Sequence, residues 1–118
     1  MVMASAMAGI ASPVFAELDS GRITYAPAQA IDMVAEKVKV ALDALTSGSE
    51  PEAVSKLTKD AMDASKEINA NDKVDRVRSK ANNKLRAARD YLKDGATQEA
   101  EQNLRDAYKI MLDLKSLL

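Results

Sequence analysis

Residues 72–95, DKVDRVRSKANNKLRAARDYLKDG, decide how this chain is read. Val74, Val77, Ala81, Leu85, Ala88 and Leu92 recur at steps of three and four, which places them on one face of a helix. Asp72 suits the N-cap. Lys93, Asp94 and Gly95 end the pattern with a cation in the last turn and then a glycine.

The same grammar holds on either side. Before this segment, Ser49-Glu50-Pro51-Glu52 reads as a capping box, with Pro51 where a missing N–H costs nothing. An apolar stripe of Val54, Leu57, Ala61, Ala64 and Ile68 follows, and Asn69-Ala70-Asn71 breaks it. Ser55 and Ser65 fall on the polar side of this helix. Further upstream, a helix over about Pro27 to Leu45 carries Ile31, Val34, Val38, Ala41 and Leu45 on one face. Thr46-Ser47-Gly48 closes it, with Gly48 suited to a left-handed cap. Downstream, Thr97 reads as the cap of a last helix, with Glu99 and Glu101 near its positive end. Its stripe is Ala100, Leu104, Ala107, Met111, Leu114 and Leu118, joined by Tyr108 and Leu112.

Four stripes joined by short loops predict an all-α fold, an up-down-up-down antiparallel four-helix bundle with an extended N-terminal arm. The near-seven-residue spacing favours shallow, coiled-coil-like crossing. The same loops also suit a pair of long hairpins that dimerise. β-Branched alternation between turn signals is lacking, so no strand is expected.

The chain has 118 residues, one domain by length. It divides into residues 1–16, an arm over 17–26 and the bundle over 27–118. Met1 to Ala16 carries no charge, ends Val14-Phe15-Ala16 and is followed at once by Glu17. It reads as the apolar region and cleavage site of an export signal. Nothing basic precedes Arg22, which fits Met1 being an internal methionine of a longer presequence. The competing reading is an apolar helix that packs on the bundle or touches membrane. Residues 17–26 lack helical periodicity, and Ile23 and Tyr25 there either anchor a partner or cover the open end of the bundle.

Composition excludes several kinds of chemistry. With no Cys there is no disulfide, thiolate metal site or thiol nucleophile, and with no His the commonest general base and metal ligand are missing. A ferritin-like di-metal site needs Glu-x-x-His pairs. Met33, Met62 and Met111 would lack a histidine as second haem ligand and read as core filler. No cofactor and no metal is expected, no phosphate loop or nucleophile elbow is present, and neither Ser55 nor Ser65 has a base beside it. The chain reads as non-enzymatic. A cryptic enzyme would need two acids converging in a cleft.

Charge is balanced overall, 17 Lys+Arg against 18 Asp+Glu, but not locally. Asp72 to Lys93 holds eight cations (Lys73, Arg76, Arg78, Lys80, Lys84, Arg86, Arg89, Lys93) against Asp72, Asp75 and Asp90, a surplus of five. By helical spacing Lys73, Arg76, Lys80 and Lys84 fall on one flank of the stripe. Arg78, Arg86, Arg89 and Lys93 fall on the other. One reading pairs them with Asp60, Asp63 and Glu67 of the preceding helix. The other makes them a docking face for an acidic protein surface or anionic lipid headgroups, with the arm as a second surface. The residues expected to meet a partner are Arg22, Tyr25, Lys73, Arg76, Lys80, Lys84, Arg86 and Arg89. Nucleic acid is not expected, because no aromatics interleave with the cations.

An export-type signal ending Phe15-Ala16, an extended arm, an Ala-rich bundle with a basic helix and the closing run Ala107-Tyr108-Lys109-Ile110-Met111-Leu112-Asp113-Leu114-Lys115-Ser116-Leu117-Leu118 together resemble the PsbQ-like extrinsic subunits of photosystem II. Small four-helix extrinsic proteins of red-lineage algal photosystems look similar. The resemblance implies a non-catalytic protein on the lumenal side of the thylakoid membrane, docked on the photosystem core and other extrinsic subunits. Its expected role is to support oxygen evolution by helping retain calcium and chloride. It also implies that Met1 to Ala16 is the tail of a multipart plastid presequence. The alternative is a free bacterial periplasmic bundle, a binding or chaperone-like protein, which a cavity lined by the stripes would favour.

Overall fold

Two prolines and two glycines punctuate the helices that the computed structural model describes over residues 25–118. The signal reading of residues 1–16 and the arm before Tyr25, Arg22 included, lie outside the described residues. α1 spans Pro27–Thr46, α2 Pro51–Ser65, α3 Asp72–Lys93 and α4 Thr97–Leu114, with a short 3-10 turn at Lys115–Leu117. There is no strand among the described residues.

Pro27 and Pro51 open α1 and α2 in their first turns, where their fixed φ suits the helix. α1 and α3 end alike. Gly48 (φ +92°) and Gly95 (φ +76°) are left-handed. The amides one residue later, Ser49 and Ala96, donate back to the carbonyls of Ala44 and Tyr91, each at 2.9 Å. Gly48 N–H and Gly95 N–H reach Leu45 and Leu92 in the same way. This is a full Schellman closure, and it turns the chain sharply into the next helix.

The expected caps differ. Ser49 is committed to closing α1, so α2 starts from Glu50 with no side-chain cap, and the capping box with Glu52 does not form. The cap of α3 is Asn71, whose Oδ1 accepts from Val74 N–H at 2.9 Å; Asp72 is already the first helical residue. Thr97 likewise begins α4, and Ala96 at the cap position has no side-chain oxygen to offer.

The buried face of each helix joins one core, in which Ile31, Val54, Leu85 and Leu104 are fully enclosed. α1 packs on α2 and α4, and α3 packs on the same two. On α2 the face is rotated from the expected stripe. Val54 and Ala61 are buried, but Leu57 and Ala64 are only half-buried, while Thr58, Met62 and Ser65 go inside. Ile68 is buried beyond the end of the helix. Leu45 and Tyr108 are half-buried, and Leu112 and Leu118 are exposed, so α4 contributes a shorter stripe than its sequence suggests.

The fully buried hydroxyls have partners. Thr58 Oγ1 donates to the Val54 carbonyl at 2.8 Å. Ser65, expected on the polar side of α2, is fully buried instead. Its Oγ lies 2.9 Å from the Met62 carbonyl and 2.7 Å from Asn82 Oδ1 on α3. Other inter-element contacts join Arg89 to Ser55, Lys84 to Asp106, Lys115 to Asp32, and Asn71 to the Leu117 carbonyl.

Candidate docking surface

Because one face of α3 is buried, its cations are pushed to two flanks that border different neighbours. Lys73, Arg76, Lys80 and Lys84 lie along the α4 side. There Lys84 Nζ sits 3.5 Å from Asp106 Oδ2. Glu99, Asp106 and Asp113 recur every seven residues on α4, so this lysine row runs beside an acidic row. Lys73, Arg76 and Lys80 are exposed and form no ion pair among the described residues.

The other flank borders α2. Arg89 Nε donates to Ser55 Oγ at 3.3 Å. Arg86 is exposed and reaches only Asn83 of its own helix, at 3.4 Å. Arg78 lies 3.7 Å from Asp75 Oδ1, too far for a hydrogen bond, and its buried Nε–H has no acceptor.

The expected pairing with Asp60, Asp63 and Glu67 is not formed. None of the three pairs with an α3 cation; Asp63 instead takes Lys59 of its own helix at 2.8 Å. The hydrogen bond from Lys59 holds the Asp63 carboxyl below its ordinary value, and the charges of Lys59, Lys66 and Arg89 act in the same direction. Lys59 and Lys66 are the residues that reasoning from the sequence missed. Their seven-residue spacing was visible, but which side of α2 they occupy depends on Thr58 and Ser65 facing the core.

Tyr25 is partly exposed and stands at the rim of a half-open cleft of about 740 Å³ beside the start of α1 and the α2–α3 connection. Val34, Ala64 and Ile68 give it apolar walls; Lys66, Asp75 and Arg78 give it charge.

The described residues contain no group of three or more Asp or Glu placed to hold a metal ion. No described helix is long and apolar enough to cross a membrane. The arrangement offers guanidinium and ammonium groups to anions. Compared with known proteins, the chain matches no family model, no curated protein and no solved structure.

Proposed function

We propose that this chain is a non-catalytic extrinsic subunit that docks by charge on a membrane protein complex, with its helices in up-down-up-down antiparallel order. The order is supported by two α2–α3 contacts, Ser65 with Asn82 and Ser55 with Arg89, whose numbers run in opposite directions. The docking reading rests on one observation: Lys73, Arg76, Lys80, Arg86 and Lys93 are exposed on one helix without a carboxylate partner among the described residues. The resemblance to lumenal photosystem II subunits that support oxygen evolution points to the thylakoid lumen as compartment and to the photosystem as the complex.

The test is a salt wash of membranes from the source cells. The protein is expected on membranes at low salt and in the supernatant at about 1 M salt, where the screening length falls to about 3 Å. A protein that is soluble at low salt, or that stays bound at high salt, overturns the proposal.

The cleft supports a second reading, the free periplasmic binder. Its volume lies within the range of about 300–1,000 Å³ usual for small-ligand sites. Titration with a medium-chain carboxylate, followed by the backbone amide shifts of Ile68 and Arg78, tests it. Saturable shifts confined to the cleft support the reading, and unchanged spectra remove it.

A further inference from the structure

We infer, building on the docking reading, that the partner is an acidic protein surface and that it meets the seam between α2 and α3, not the seam between α3 and α4. The two flanks of α3 are equivalent in sequence but not in their surroundings. On the α4 side Lys84 is already engaged by Asp106, and Glu99 and Asp113 continue the same row of α4 at seven-residue spacing. Lys73 and Lys80 stay unpaired there among the described residues, but the acidic row of α4 beside them lowers the net charge of that flank.

The α2 side has the opposite balance. Lys59 of α2 and Lys66, just after its end, are exposed, and both act on Asp63, as does Arg89 of α3. Lys59 sits 2.8 Å from that carboxylate, and the charges of the other two bear on it as well. Arg86 lies on the same flank of α3 by helical position. Two acids of the seam sit at its ends: Glu52 opens the lysine row at seven-residue spacing, and Asp75 stands beside Arg78. The middle, made of Lys59, Lys66, Arg86 and Arg89, holds Asp63, which Lys59 occupies, and borders Asp90, four residues after Arg86 on α3, so four cations meet two carboxylates. A surplus of cations in close quarters attracts an anionic partner and sets its register.

Two features favour a protein carboxylate over a lipid headgroup. Arg89 is positioned by the Ser55 hydroxyl through its Nε, and its terminal NH₂ groups have no partner among the described residues. A planar, held guanidinium suits a carboxylate end-on. Membrane-surface helices also present large apolar or aromatic side chains beside their cations. The exposed large apolar residues here are Tyr25, Met33, Val40, Tyr91, Leu112 and Leu118. None is on α2, and Tyr91 follows Lys84 by seven residues on the α4 flank.

The test compares two full-length variants with the wild type, K59E/K66E/R86E on the α2–α3 seam and K73E/K80E on the α4 side. The readout is the salt concentration that releases each from source membranes. Circular dichroism and urea midpoints confirm that both are folded. The seam variant is expected to release at several-fold lower salt, with the α4-side variant like the wild type. The inference is overturned if only the α4-side variant is weakened, or if both variants behave like the wild type while the wild type still binds. It is also overturned if the wild type binds protein-free vesicles of phosphatidylcholine and phosphatidylglycerol as strongly as the membranes, which would assign the surface to lipid. A wild type that never associates removes the docking reading and the inference with it.

Discussion

The Ser65 hydroxyl on α2 and the Asn82 side-chain oxygen on α3 lie 2.7 Å apart inside the protein. The same hydroxyl is 2.9 Å from the Met62 carbonyl, yet it owns a single proton. In S65A the Asn82 amide loses its partner within the core, and a cost of about 1–3 kcal/mol is expected. In N82A the hydroxyl keeps Met62 as acceptor, so the cost should be smaller. Urea denaturation of both singles and of S65A/N82A should show a double cost below the sum, because the two share one contact.

The two helix-closing glycines give a second prediction. An added Cβ at Gly95 or Gly48 would meet no atom within 4 Å, so the cost of G95A is backbone strain alone. A left-handed φ costs an L-residue about 1–2 kcal/mol. G95A should therefore lower stability by about that amount, and G95N by less, since Asn tolerates this region better. Thermal unfolding measures both.

How far the sequence carried follows from individual residues. Four periodic segments and their glycine stops were legible because Gly48 and Gly95 do the work that their residue type suggests. On α2 the expected stripe is off-centre: Leu57 packs only at the edge of the core, while Thr58, Met62 and Ser65, the last expected on the surface, turn inward. Thr58 can be buried because its hydroxyl returns to the Val54 carbonyl, so it behaves there as an apolar branch. That rotation carried Lys59 and Lys66 to the α3 side and left Asp60 and Glu67 without an α3 partner. Charge content showed that α3 was basic; which flank lacked countercharge depended on helix rotation, which spacing alone did not supply.

Core truncations should rank accordingly. Leu104 is fully buried, and L104A is expected to cost about 2–5 kcal/mol. L57A removes a half-buried side chain and should cost clearly less. T58V should cost about 0.5–1.5 kcal/mol, the net worth of the one hydroxyl hydrogen bond it removes, since the Val54 carbonyl keeps its helical amide donor. Urea midpoints that reversed the order of L104A and L57A would contradict the burial described here.

The ion pairs predict weak pH effects of defined sign. The hydrogen bond from Lys59 lowers the Asp63 carboxyl from 3.8, so its stabilising contribution is complete above the ordinary Asp range and is lost as pH falls through the lowered value. The hydrogen bond and charge of Asp43 raise Lys39 from 10.5. That contribution is complete below the ordinary Lys value and is lost as pH rises through the raised one. Both groups are solvent-exposed, so stability should change little and less still in salt. In a carboxyl-resonance titration, K59M should return Asp63 upward toward its ordinary value, and added salt should do the same in the wild type.

The caps separate the sequence reading from the structure most sharply. Ser49, Asp72 and Thr97 have capping side chains by type, but only Asn71 places an oxygen on a first-turn amide, at 2.9 Å from Val74 N. Its Nδ2 also reaches the Leu117 carbonyl at 3.4 Å, tying the start of α3 to the end of the chain. N71A should cost about 1 kcal/mol, within the range of about 0.5–2 for lost caps. S49A and T97A should each fall within about 0.5 kcal/mol of the wild type, as ordinary surface changes do. In S49A the backbone amide that closes α1 onto the Ala44 carbonyl is untouched. If S49A or T97A instead cost as much as N71A in urea unfolding, α2 or α4 would be capped by the serine or threonine after all, and the starts of those helices would lie one residue from where they are described.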